Sequence, residues 1–141
     1  MSKLIITSGY YEVLHPGHIE CLKKSKELGD YLVVIINNDE QAKIKKGHVV
    51  MPEKSRQTIL SAIKYVDLAI ISIDKDSTVC ASIEYLAKWF RNRYDEIIFT
   101  KGGDRYATEI PESDTCKRLG IKIIDGLGAK IDSSSNYYIK K

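Results

Sequence analysis

At 141 residues, with 43% hydrophobic and 29% charged side chains, the chain has the size and balance of one compact domain and no signature of disorder. Its net charge of +3 is too slight for the basic field on which sequence-independent nucleic-acid binding relies, though lysines gathered at one place could still hold a small anion. Cys21, Cys80 and Cys116 are odd in number and far apart, with no CxxC pair, which argues against a disulfide framework or a zinc site and for buried thiols in a reducing compartment.

Lys3 to Ser8 (KLIITS) is a short β-branched apolar run stopped by Gly9, and reads as a strand. MSKLIITSGYY is too short in apolar residues for a signal peptide and no segment reads as a membrane span, so a cytoplasmic chain is expected. Pro16 sits where a first-turn proline is tolerated, and Ile19, Leu22 and Leu28 continue a helix that Gly29 ends. Tyr31 to Asn37 (YLVVIIN) is apolar without alternation, as expected of a strand covered on both faces. A lysine-rich loop follows. Pro52-Glu53 opens the next helix, with Ile59, Ile63 and Val66 on one stripe. Asp67 to Ile73 is the third strand, and Ser77 can cap a helix whose Val79, Ile83, Leu86 and Phe90 share a face. Asp95 to Thr100 is the fourth strand, Pro111 to Leu119 a short helix, Ile121 to Asp125 the fifth strand, and SSSNYYIKK a last helix capped by Ser133. Trp89 and Phe90 take core or surface-patch positions and His48 a loop position, none with a functional role.

Strict alternation of strand and helix predicts a parallel sheet with helices on both faces, in a single domain over residues 1–141. The connections are unequal. Those entering strands are short and plain (LGDY, YVDL, RLGIK). Those leaving strands are rich in Gly, His, Lys, Asn, Asp and Ser (SGYYEVLHPGH, NNDEQAKIKKGH, TKGGDR, DGLGAKIDSSS). Ligands of open α/β sheets bind outside the carboxyl ends of the strands, so the chemistry is expected on that edge.

His15 falls at the cap of the first helix and His18 in its first turn, on the same side. A helix start offers unpaired backbone N–H groups and a positive dipole end. Two imidazoles added to it make a cradle for phosphate, with Gly17 allowing close approach. The alternatives are a pair of surface histidines or two ligands of a metal, but nothing local supplies a third and fourth zinc ligand.

GYYEVLHPGH resembles the GxFDxxHxGH signature of the cytidylyltransferase-like nucleotidyltransferases: Gly9, His15, Gly17 and His18 match, Tyr11 stands for the phenylalanine and Glu12 for the aspartate. HIECLKKSKELGDYLVVIINNDE is similar to glycerol-3-phosphate cytidylyltransferases, whereas KGGDR, EIP and the late serines look more like the adenylyltransferase domains that activate heptose phosphates. The resemblance implies an α/β, Rossmann-like five-stranded parallel sheet, order 3-2-1-4-5. It implies transfer of NMP from an NTP (CTP or ATP) to a small phosphorylated acceptor, with Mg²⁺ assisting through the nucleotide phosphates and no covalent enzyme intermediate. Flavin or pantetheine phosphate as acceptor is the alternative within the class, and a nucleotide-binding regulatory module without turnover the alternative outside it. A homodimer is implied, with no nucleic acid or membrane partner.

Carried onto this sequence, the family's roles give His15, His18 and Lys46 to catalysis. Gly9, Tyr10, Tyr11, Gly17, Lys43, Gly102, Gly103, Asp104, Ser133, Ser134 and Ser135 go to nucleotide binding, and Arg56 to the acceptor. Lys45 could replace one of its lysine neighbours through a one-residue gap, the run could be a solvated face, and Arg56 could be an ordinary surface arginine. Many relatives have an arginine shortly before the serine segment, where this chain offers only Lys130.

Overall fold

The computed structural model describes residues 2–102 and 110–127. Five strands, β1 (Lys3–Gly9), β2 (Tyr31–Ile36), β3 (Leu68–Ile71), β4 (Glu96–Gly102) and β5 (Lys122–Leu127), form one sheet of order β3-β2-β1-β4-β5. All four pairings are parallel, with Gly9 opposite Ile36 and Thr7 opposite Thr100. The helices are α1 (Pro16–Glu27), α2 (Asp39–Lys46), α3 (Glu53–Ser61), α4 (Cys80–Phe90) and α5 (Glu112–Leu119). The expected α/β fold and strand order are present.

Unalternating apolar strands fit because both faces of the sheet are covered. Leu4, Ile6, Val33, Ile35 and Phe99 pack beneath α4 and α5 through Ile83, Leu86, Phe90 and Cys116. Ile5, Leu32, Val34, Ile36 and Ile98 pack on the other face against Leu22 of α1 and Leu60 of α3. Successive residues of a strand point to opposite faces, so a run such as Leu32–Ile36 must be apolar at every position.

Several local expectations are corrected. The lysine run is not a loop but the last turn of α2. Asn38 accepts from the Gln41 N–H, Gln41 accepts in return from the Asn38 N–H, and Gly47 closes the helix at φ 82°, a conformation that favours glycine. Lysines at that end also face the negative pole of the helix. The stripe on α3 is shifted by one: Arg56 and Leu60 face inward while Ile59 is exposed, and Ile63 and Val66 follow the helix rather than belonging to it. Ser77 does not cap α4. The Asp74 carboxylate does so from the preceding turn, accepting from the N–H groups of Ala81 (2.7 Å) and Ser82 (3.0 Å). Cys116 is buried as expected, but Cys21 and Cys80 are only partly so. Trp89 is exposed and Phe90 buried. The expected last helix at 133–141 lies outside the described residues, and among those described no helix is long and apolar enough to cross a membrane.

Candidate active site at the carboxyl edge of the sheet

Because every strand runs the same way, β1, β2 and β4 end on one edge, and β1 lies between the other two. The turn from β1 into α1 is therefore central. Gly9 ends the strand without a side chain, and a Cβ there would meet the Tyr11 ring at 2.9 Å. Tyr11 is buried and adopts φ 56°, a left-handed conformation that costs an aromatic residue about 1–3 kcal/mol and persists only where the surroundings impose it. The Glu12–Val13 peptide that follows is cis. The Tyr11 ring stands edge-on to His18 with centroids 5.1 Å apart, and His18 stacks on His15 at 3.9 Å with 25° between the planes. Gly9, Tyr11, His18 and His15 form one packed series.

The two imidazoles are also the cap of α1. His15 Nδ1 accepts from the Gly17 N–H (3.1 Å), and His18 Nδ1 accepts from the His15 N–H (3.1 Å). A neutral ring that accepts at Nδ1 carries its proton at Nε2. The fold thus sets one tautomer for both rings, each a donor at Nε2. This corrects the expected cradle. The first-turn N–H groups are already used, Gly17 by the His15 ring and His18 and Ile19 by the His15 carbonyl at 2.9 and 3.3 Å. Backbone donors of this turn are spent on positioning the histidines.

The three lysines of α2 have three different fates. Lys43 is exposed and pairs with Glu40 at 3.3 Å, an i,i+3 surface contact worth a few tenths of a kcal/mol at most. Lys45 lies over the Tyr10 ring, 4.5 Å from its centroid. Lys46 is only 20% exposed, 5.5 Å from the same centroid, and its Nζ donates to the Glu12 carbonyl at 3.3 Å and lies 3.6 Å from Glu12 Oε1. The structure therefore joins Lys46 to the histidine turn and directs Lys43 away from it. The Tyr10 hydroxyl is held above its usual range by burial.

Arg56 departs most from expectation. Its side chain is fully buried, with Nη1 donating to the carbonyls of Tyr10 (2.9 Å) and Asn37, Nε to that of Met51 (2.8 Å), and Nη2 to Asp39 Oδ1 (2.8 Å). In this arrangement it ties the segments that leave β1 and β2 to the connection between α2 and α3. Gly102 is the last residue of β4, on the side of β1 opposite β2. Gly103, Asp104, Ser133, Ser134 and Ser135 lie outside the described residues.

Sequence reasoning placed Glu12 at the signature's aspartate position without giving it a role, and assigned no part to Asp39 or Gln41. Glu12 is 1% exposed, and its Oε2 accepts from the N–H groups of Val50 and Met51, each at 2.7 Å. Asp39 accepts from Arg56 and from the Glu53 N–H, while Glu53 accepts from the Asp39 N–H. Gln41 Nε2 donates to the carbonyls of Asp76 and Thr78, fixing α2 to the segment before α4. The Asn38-x-x-Gln41 spacing was the one readable signal, a capping-box signature at a helix start.

A parallel sheet of this order carries a paired-histidine cap where its central strand ends, and Lys46 reaches that turn from the last turn of α2. The chain belongs to the cytidylyltransferase-like family, whose model matches residues 6–132. It is 32% identical over 138 residues to an FAD synthase from Picrophilus torridus, covering 94% of this chain and 91% of that protein. It is 44% identical over 68 residues to a glycerol-3-phosphate cytidylyltransferase from Staphylococcus aureus, covering 48% of this chain and 52% of the other. In such shorter matches the alignment spans about half the length of the relative. Among solved structures, a lipopolysaccharide core biosynthesis protein from Thermoplasma volcanium superposes with a TM-score of 0.65 at 27% identity, over 89% of this chain and 96% of that one.

Proposed function

We propose that the protein transfers a nucleoside monophosphate, CMP or AMP, from an NTP to a small phosphorylated acceptor such as a polyol or sugar phosphate, releasing pyrophosphate. The observation that carries this reading is the His15–His18 pair, stacked at 3.9 Å and held by its own cap, with Lys46 joined to Glu12 of the same turn. An oxygen of the acceptor phosphate attacks the α-phosphorus, and the bond from that phosphorus to the bridging oxygen breaks, its electron pair leaving with pyrophosphate. The two Nε2–H groups donate to α-phosphate oxygens as they gain charge, and Lys46 balances charge on the phosphates. No side chain needs to act as nucleophile. Mg²⁺ belongs to this proposal as an ion carried on the nucleotide phosphates, and no step is assigned to it. A homodimer belongs to it as well.

A second reading has its own support. The Picrophilus torridus relative aligned over nearly the whole chain is an FAD synthase, which favours adenylyl transfer to a flavin phosphate. The test is pyrophosphate release from each NTP against a panel of polyol, sugar and flavin phosphates. Release with one NTP and one acceptor class is expected. Nucleotide binding without release from any pair would leave a binding module and overturn the catalytic reading.

A further inference from the structure

We infer that Glu12 is a positioning residue, which holds Lys46 and the 50–51 turn against the histidine turn; this deepens the nucleotidyl-transfer reading and rests on it. Glu12 stands three residues before His15 in the segment that leaves the central strand. A carboxylate so thoroughly removed from water is strongly disfavoured unless its surroundings compensate it. Compensation comes from both sides. Oε2 receives the N–H groups of Val50 and Met51 at 2.7 Å, short charge-assisted bonds, and Oε1 faces the Lys46 ammonium at 3.6 Å. Lys46 touches Glu12 a second time, at its carbonyl (3.3 Å). Two contacts to one residue fix an ammonium far better than one, which is why Lys46 is held at the turn while Lys43 of the same helix pairs outward.

The grip closes on itself. Met51 gives its N–H to Glu12 and receives the Arg56 Nε–H at its carbonyl, and Arg56 donates in turn to the carbonyl of Tyr10, two residues before Glu12. Two buried charges of opposite sign thus hold opposite ends of one backbone unit. The segment joining α2 to α3 cannot move without uncovering one of them. Lys46 meets the same restriction: moving fully onto a phosphate would leave the Glu12 carboxylate short of a compensating charge. It therefore serves the phosphates from a place that Glu12 sets. An aspartate, one methylene shorter, could not reach the 50–51 N–H groups and Lys46 from the same backbone position.

A double-mutant cycle on the whole protein tests this. Glu12→Gln keeps an oxygen for the Val50 and Met51 N–H groups and removes the charge that faces Lys46. It is expected to lower kcat/KM for nucleotidyl transfer by about 10-fold, yet by less than about 2-fold in a Lys46→Met background. Equal losses in both backgrounds would make Glu12 a support of the fold alone and overturn the inference. Acetylation footprinting of the wild-type protein reads the same contact without a variant and without turnover. Lys46 should react at least about 5-fold more slowly than exposed Lys43, as its smaller exposure and its two contacts to Glu12 require, and Glu12→Asp should erase the difference. Wild-type Lys46 that reacts as fast as Lys43 would also overturn it. If no NTP and acceptor pair reacts, the footprint still decides on Glu12, and an active enzyme with an additive cycle defeats this inference while leaving the nucleotidyl-transfer reading intact.

Discussion

The ring of Tyr11 occupies the space a side chain on Gly9 would need, at 2.9 Å from the nearest position a Cβ could take. A glycine that ends the central strand thereby decides where His18 stands, because the same ring meets His18 edge-on. Gly9→Ala must displace a buried aromatic ring, and overpacking of this kind costs about 1–3 kcal/mol. Thermal unfolding should show that loss, and activity should fall further than stability does, since the displaced ring moves His18. An alanine variant with unchanged melting and unchanged rate would remove Tyr11 from the construction of the site.

His18 does two jobs that can be measured apart. Its Nδ1 completes the cap of α1, and its Nε2–H is the donor assigned to the α-phosphate. His18→Ala should lose about 1 kcal/mol of stability with the cap. It should also lose ~10²–10³ in turnover, about 3–4 kcal/mol, with the donor. Nucleotide affinity should change only a few-fold, because charge on the α-phosphate oxygens is greatest in the transition state. Asparagine can both accept from the His15 N–H and donate through its amide, and should restore part of each. Single-turnover kinetics beside calorimetric binding separates the effects; equal losses in rate and affinity would mean the pair cradles only the ground state.

Cys116 and Tyr11 predict the alkaline limit of stability. Burial raises the Cys116 thiol from its usual 9.0 to about 12, and burial likewise raises the Tyr11 hydroxyl above its usual 10.0. The folded state keeps these protons after the unfolded state has released them, so their contribution is complete below pH 9 and is lost as pH rises toward 12. Each group can contribute up to about 1.4 kcal/mol per pH unit within that window. Denaturant midpoints measured from pH 8 to 11 should therefore fall, and Cys116→Ser should flatten the early part of the decline. A midpoint independent of pH above 9 would contradict the burial of both groups. Thiol labelling at pH 8 should likewise spare Cys116 until the protein unfolds.

The sheet was legible in the sequence because the parallel arrangement leaves unmistakable marks: apolar runs such as Leu32–Ile36 without alternation, and polar, glycine-rich segments leaving each strand. The histidine cap was legible because its members are three residues apart. Arg56 was not. Its partners sit at positions 10, 37, 39 and 51, and only the fold brings them to one place. Nor was α2, whose eight residues DEQAKIKK offer hardly an apolar face; it is held by its caps and by Gln41 reaching the 76–78 segment. The lysines expected in a loop lie on a helix, where positions 43, 45 and 46 point in different directions.

The place of β1 in the sheet bears on how the protein is made. Of the sheet's five strands the central one comes first in chain order, and one of its edges finds its partner, β2, within about one helix of chain. The other edge waits for β4: Thr7 donates to the carbonyl of Thr100, 93 residues later. At a translation rate of ~5–20 residues per second, that edge stays uncovered for roughly 5–20 seconds after β1 leaves the ribosome. Through that interval an apolar strand edge presents unpaired N–H and C=O groups to any other nascent chain. A slowly translating ribosome, or a stall before residue 96, should therefore raise the fraction of the product that needs a chaperone, even though the finished sheet hides β1 between two neighbours.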